Sequence, residues 1–208
     1  MQRVLLVFCG LLMLSLLASC SVLQMRATEL TVQTQELETL LSEMPWVSER
    51  MSLDRPDIKP VYQFSFRTCP PCISFKTEGW PVLEAAGLEP RLIMTARRGK
   101  STADERTAVV ELARTRDWDM AKAWMAANSP KGYYRKMTFT TADGNAAREA
   151  ELEKLRTQID TLDDILAANN VDMAYPTFLW QDSNEAWHAE VGYHNLTARN
   201  IIASMGGT

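Results

Sequence analysis

Cysteine is scarce in this chain, with 4 in 208 residues, and histidine is scarcer, with 2. One close cysteine pair is present, Cys69 and Cys72, and there is no second pair to complete a zinc site of the usual spacing. An exported protein stapled by several structural disulfides would need more cysteines than these. Basic excess is also missing. The formal charge is −4 and the pI about 5.3, which speaks against nucleic acid as a partner. No internal repeat or low-complexity tract occurs. The 46% hydrophobic and 23% charged composition is that of a globular protein. The length suits one domain of ordinary size with an appendage.

The first residues read as an export signal. Met1-Gln2-Arg3 carries one positive charge, and Val4 to Leu17 is almost unbroken apolar sequence. That run is short for a membrane span and right for the core of a signal peptide. Leu17-Ala18-Ser19-Cys20 then resembles the bacterial lipoprotein signal, which implies signal residues 1–19 and a lipid anchor on Cys20. An ordinary cleaved signal or an uncleaved anchor is the alternative. Ser21 stands where an aspartate would retain a lipoprotein in the inner membrane, so the expected site is the outer membrane. Cys9 leaves with the signal, and the thiols that remain are Cys69 and Cys72.

Cys69-Pro70-Pro71-Cys72 lies between two contrasting patterns. Val61 to Phe66 is rich in β-branched and aromatic side chains and reads as a buried strand. A helix is expected from Pro70 to about Ala86, closed by Gly87. Cys69 therefore falls at a helix N-terminus, where free N–H groups and the helix dipole stabilise a thiolate. Prolines suit the first helical turn, which has no intrahelical donor to lose. Redox exchange is the favoured reading of the pair; metal binding or a structural disulfide is the alternative.

The rest of the chain divides around this motif. Residues 20–45 read as a tether with a short helix, in which Leu30, Leu37 and Met44 recur every seven residues. Three positions are too few for a coiled coil, and docking on the domain is the favoured reading. Trp46 to Leu53 reads as an edge strand, and Arg91 to Thr95 as a strand beyond the cysteine helix. Arg97-Arg98-Gly99-Lys100 reads as a solvated loop. Helices are expected around Val109–Ala113 and Trp118–Trp124. Leu152, Leu155, Ile159, Leu162 and Leu166 form a 3-4-3-4 stripe, started at Asp143-Gly144-Asn145 and stopped at Asn169-Asn170. Thr177–Trp180 and Ala186–Val191 read as a hairpin, followed by a last helix to about Met205.

This order resembles the thioredoxin fold, and in particular its periplasmic Dsb branch. Two motifs carry the resemblance: Tyr62 through Cys72, and Tyr175-Pro176-Thr177-Phe178, placed as the family places its cis-proline loop. It implies an α/β domain over residues 46–208, with helices inserted at about 101–170 between the cysteine half and the cis-proline half. It implies further that Cys69 is the nucleophile and Cys72 the resolving thiol of a thiol-disulfide oxidoreductase without cofactor or metal. Tyr175, Pro176 and Thr177 would then bind the client, with Arg67, Pro70 and Pro71 modulating the thiolate. Helix geometry leads one to expect Cys69 exposed and Cys72 turned inward. The implied partners are exported proteins with cysteine pairs and a membrane redox partner.

Two departures from the family stand out. Gln63 occupies the place where many relatives keep a buried carboxylate. Only about forty residues separate Cys20 from Val61, too few for the dimerisation domain of the family's isomerases. Oxidase and reductase directions stay open. A copper-delivery role, with His188 or His194 joining the cysteines, is one alternative, although such proteins more usually space their cysteines CxxxC. An interaction lipoprotein of an envelope or conjugation assembly is another.

Overall fold

The computed structural model describes residues 27–49, 58–126 and 139–206. The signal, Cys20 and the Leu17–Cys20 boundary lie outside the described residues. A five-stranded sheet runs in the order β1-β5-β4-β2-β3. Its strands are β1 (Thr28–Leu30), β2 (Pro60–Ser65), β3 (Glu89–Met94), β4 (Thr177–Gln181) and β5 (Trp187–Val191). β2 and β3 are parallel, and the other pairings are antiparallel.

The sheet's period of two explains its layering. Val61, Leu92, Phe178 and Trp180 point to one face. Tyr62, Phe64, Ile93 and Leu179 point to the other. The first face is covered by α2 (Pro70–Glu78), α3 (Trp80–Ala85), α4 (Ala103–Thr115), α5 (Trp118–Ala126) and α7 (Thr197–Ser204). The second is covered by α1 (Thr34–Glu43) and most of α6 (Ala146–Ala168). Both faces being covered accounts for the near-continuous apolar reading of β2 and β4. The helices α4, α5 and α6 lie between β3 and β4, as expected.

Residues 28–44 are more than a tether. β1 pairs with β5 at the edge of the sheet, and α1 packs beside it. Leu30, Leu37 and Met44, the heptad positions, are all buried against the second face. Asn169 holds the segment in place. Its Oδ1 accepts from the Thr31 and Val32 N–H groups at 2.8 and 2.9 Å. Its Nδ2 donates to the carbonyls of Val32 and Ile165 at 3.0 and 2.8 Å. The residue that ends α6 thus clasps the chain leaving β1.

Two further expectations change. The edge strand at 46–53 reduces to a single bridge, Val47 with Leu92; residues 50–53 lie outside the described residues. The helix expected over 70–86 divides at Gly79, because Pro81 has no N–H to continue the ladder. Gly79 is required there: an added Cβ would meet the Phe75 ring at 2.5 Å. Asn145 caps α6 as expected, accepting from the Arg148 N–H at 3.2 Å, and Thr102 with Glu105 forms a capping box on α4.

Candidate functional site

β2 delivers the chain to a tight turn, in which the Cys69 N–H donates to the Phe66 carbonyl at 3.1 Å. α2 then starts, with Cys69 as its N-cap and the two prolines at its first positions. Pro70 and Pro71 carry no N–H, so the first donor the helix offers is that of Cys72. It points at the Cys69 Sγ, 3.2 Å away. The sulfurs of Cys69 and Cys72 are joined, with their Cα atoms 5.3 Å apart.

Both cysteines are buried, Cys69 at 1% and Cys72 at 0% exposure. The expectation that Cys69 alone would be exposed does not hold for the disulfide state. Linking to Cys72 folds the Cys69 side chain back over the first turn, where its sulfur also accepts the Cys72 N–H. Pro70 is exposed and Pro71 half-buried.

Gln63 lies one turn beneath. It shares the face of Val61, and it is 1% exposed. Its Nε2 donates to the Cys72 carbonyl at 3.2 Å, and its Oε1 accepts the Trp80 indole N–H at 2.6 Å. A buried amide is thus satisfied at both ends, and it fixes the carbonyl of the resolving cysteine. Strand alternation placed Gln63 on the helix-facing side; its partner Trp80 carried no signal in the sequence.

Arg67 turns inward. It is 5% exposed, with its guanidinium 5.6 Å from the Trp124 ring centroid. Its Nε and Nη2 are buried without a hydrogen-bond partner among the described residues. Burial pushes its pKa below the ordinary arginine value, and the charge of Glu105 opposes that shift.

Across the sheet, the Tyr175–Pro176 bond is cis. The β2–β4 register pairs Phe64 with Thr177, and continued by two residues it sets Tyr175 beside Phe66. Their rings meet edge to face at 5.3 Å. The Tyr175 hydroxyl lies on the side of Thr95, whose own hydroxyl donates to the Ser65 carbonyl at 3.1 Å. Burial raises the Tyr175 pKa, opposed by the Thr95 side chain and by the charge of Arg97. Thr177 is fully buried, and its hydroxyl donates to the Ala174 carbonyl at 2.5 Å. The Pro176 carbonyl accepts the Gly192 N–H at 2.8 Å.

The two histidines are engaged elsewhere. His188 stacks on Trp180 and sits 3.0 Å from Asp182; His194 sits 3.0 Å from Glu190. Asp182 is held below the ordinary carboxylate range by His188 and by two backbone N–H groups. Glu190 is raised above that range by burial, against the pull of Thr197 and His194. No cluster of three or more metal-ligating side chains occurs among the described residues. Nor, among them, is any helix long and apolar enough to cross a membrane.

No family model matches the sequence, and no curated protein matches it. Solved structures do. The catalytic domain of ScsC from Proteus mirabilis aligns with a TM-score of 0.57 at 10% identity, covering 84% of this chain and 97% of that domain. The thiol-disulfide exchange protein alpha-DsbA2 from Wolbachia pipientis aligns with a TM-score of 0.54 at 12% identity, covering 80% of this chain and 89% of that one. The fold is therefore thioredoxin-like, as in these two structures, with helices inserted between the CxxC half and the cis-proline half.

Proposed function

We propose that the protein is a thiol-disulfide oxidoreductase acting on exported proteins that carry cysteine pairs. The observation that carries this reading is the Cys69–Cys72 disulfide at the start of α2, with the Cys72 N–H directed at Cys69 Sγ. In the oxidising direction a client thiolate attacks Cys69 Sγ. The Cys69–Cys72 bond breaks, a client–Cys69 bond forms, and Cys72 leaves as a thiolate. A second client thiolate then attacks the client sulfur of the mixed disulfide, and Cys69 leaves as a thiolate. The client loses two electrons and the protein gains them. Reversal of the same steps reduces a client, so the direction is set by relative potentials.

The helix N-terminus favours the Cys69 thiolate through its dipole and the Cys72 N–H. Arg67, two residues away and poorly solvated, adds a positive field. Pro70 and Pro71 withhold donors from the turn, which leaves Cys69 less acidic than a motif with free N–H groups there. Tyr175, Pro176 and Thr177 would receive an extended client segment as an added strand.

The same reading places the protein on the periplasmic side of a bacterial membrane, anchored through lipid on Cys20 and favouring the outer membrane. Support comes from the Met1–Cys20 sequence, and a membrane redox partner would reset the motif between turnovers. Mass spectrometry of the mature N-terminus tests the anchor: a lipidated Cys20 is expected, and an unmodified N-terminus at another residue overturns it. Mixing the oxidised protein with a reduced two-cysteine peptide tests the chemistry. One client disulfide should form per Cys69–Cys72 disulfide consumed; no transfer overturns the reading.

A further inference from the structure

A cavity of about 300 Å³ opens beside Tyr175, between the loop after β3 and the middle of α6. Met44, Ile93, Leu152, Leu155, Ile159 and the Tyr175 ring give it an apolar floor. Its rim is cationic, with Arg97, Arg98, Lys100 and Arg156 against the one carboxylate of Asp160. The basic run 97–100, expected to be a plain solvated loop, forms most of that rim.

The four cations are not equivalent. Arg98 is held by Glu153 at 2.7 Å and by Asp160 at 3.0 Å. Arg156 donates to the Ala96 carbonyl at 3.2 Å and lies 3.8 Å from Glu153. Arg97 and Lys100 have no carboxylate partner among the described residues. The Nε of Arg97 is buried and without a hydrogen-bond partner among those residues. The Arg97 guanidinium lies over the Phe66 ring, 3.5 Å from its centroid, and this holds it at the cavity mouth. Arg97 and Lys100 thus line the opening without an ion pair among the described residues, the rim carboxylate of Asp160 being engaged by Arg98.

Phe66 connects this cavity to the disulfide. Its carbonyl accepts the Cys69 N–H, and its ring contacts both Arg97 and Tyr175. A client strand laid along the Tyr175 loop sends alternate side chains to opposite sides. One of them meets the cavity mouth.

We infer that the cavity is a client-specificity subsite, taking an apolar side chain near the reacting cysteine with an adjacent acidic residue paired to Arg97 and Lys100. This rests on the exchange reading above and names the class of client segment it favours. The cavity volume is at the small end of ligand sites and suits one large apolar side chain. Charge complementarity selects the acidic neighbour, and a basic neighbour at the same point meets like charge.

The full-length oxidised protein is mixed with two-cysteine peptides that differ only beside one cysteine: Leu-Glu, Leu-Lys or Ser-Glu. The second-order oxidation rate should be about tenfold higher for Leu-Glu than for Leu-Lys at low salt, and the ratio should shrink as salt screens it. Ser-Glu should also be slower than Leu-Glu. In Lys100→Gln the Leu-Glu to Leu-Lys ratio should fall, and in Arg97→Gln/Lys100→Gln it should approach one. Lys100 is exposed, so the single variant keeps the test sound if the double one folds poorly. Exchange at equal rates with all peptides overturns the subsite and leaves the exchange reading standing. Exchange with none overturns both. Saturable binding of octanoate, with no discrimination among peptides, assigns the cavity to a free amphipathic acid and overturns the client reading.

Discussion

Gln63 donates its side-chain amide to the backbone carbonyl of Cys72 at 3.2 Å while its oxygen holds the Trp80 indole at 2.6 Å. One buried amide therefore ties β2, the start of α2 and the start of α3 together beneath the disulfide. It does so without a charge, so its grip should not vary with pH.

Gln63→Glu should make it vary. A carboxylate still accepts from Trp80, but it faces the Cys72 carbonyl lone pairs unless it keeps a proton. Its folded pKa is then raised above the unfolded value, so stability is retained at low pH and lost as pH rises through the carboxylate range. Denaturant unfolding at about pH 4 and about pH 7 should show a loss of about 2 kcal/mol or more at the higher pH. A constant difference between variant and wild type across that range contradicts the assignment.

Arg67→Met removes a buried cation with two nitrogens that have no hydrogen-bond partner among the described residues. Thermal stability should hold or rise, since an apolar chain of similar length avoids the desolvation cost. The Cys69 thiol pKa should rise and the potential of the pair should become more negative, because the thiolate loses a favourable field. Thiolate absorbance against pH and a glutathione redox titration read these two effects. An unchanged thiol pKa removes Arg67 from the site and leaves it as a packing residue.

Asn169→Ala breaks four hydrogen bonds that hold residues 31 and 32 and the end of α6. A loss of about 2–3 kcal/mol is expected, since backbone groups are left without partners. Hydrogen exchange should quicken first in β1 and α1, ahead of the central strands. Uniform loss of protection across the sheet would argue that 28–44 is no separate clasped unit.

Tyr175→Phe keeps the ring against Phe66 and leaves the Thr95 bond to the Ser65 carbonyl intact, so denaturant unfolding should show a change of about 1 kcal/mol or less. Tyr175→Thr removes the cavity wall and should change peptide preference more than redox potential. A potential shifted as much as the preference would place Tyr175 in the chemistry and not in recognition.

Much of this arrangement was legible in the residues. The apolar, β-branched and aromatic runs of β2 and β4 and the 3-4-3-4 stripe of α6 marked strands and helix, and the CPPC at a strand–helix junction together with Tyr175-Pro176 carried the resemblance that implied the fold and its insertion. The β1 strand was not legible, because three residues with one buried side chain, Leu30, carry no periodicity. The chain leaving it is held by Asn169, about 140 residues away, which looked like a helix stop alone. The Pro70–Ala86 pattern hid its break because Pro81 follows Gly79 within an otherwise helical composition. The rim cations escaped for a different reason: a run of Arg-Arg-Gly-Lys has the same appearance whether solvated or facing a cavity. Only the packing of α6 against the loop separates the two.

The most direct test of the proposed exchange chemistry is trapping by single-cysteine variants. Full-length Cys72→Ala and Cys69→Ala, each incubated with a disulfide-bonded peptide client, are resolved by non-reducing mass spectrometry. Cys72→Ala should accumulate a mixed disulfide on Cys69, because the thiol that would resolve it is gone. Cys69→Ala should trap almost none, since Cys72 sits inside the first helical turn, whereas Cys69 is the N-cap residue and is freed from that turn once the link to Cys72 is gone. Equal trapping by both variants, or none by either, would contradict the roles assigned to the pair.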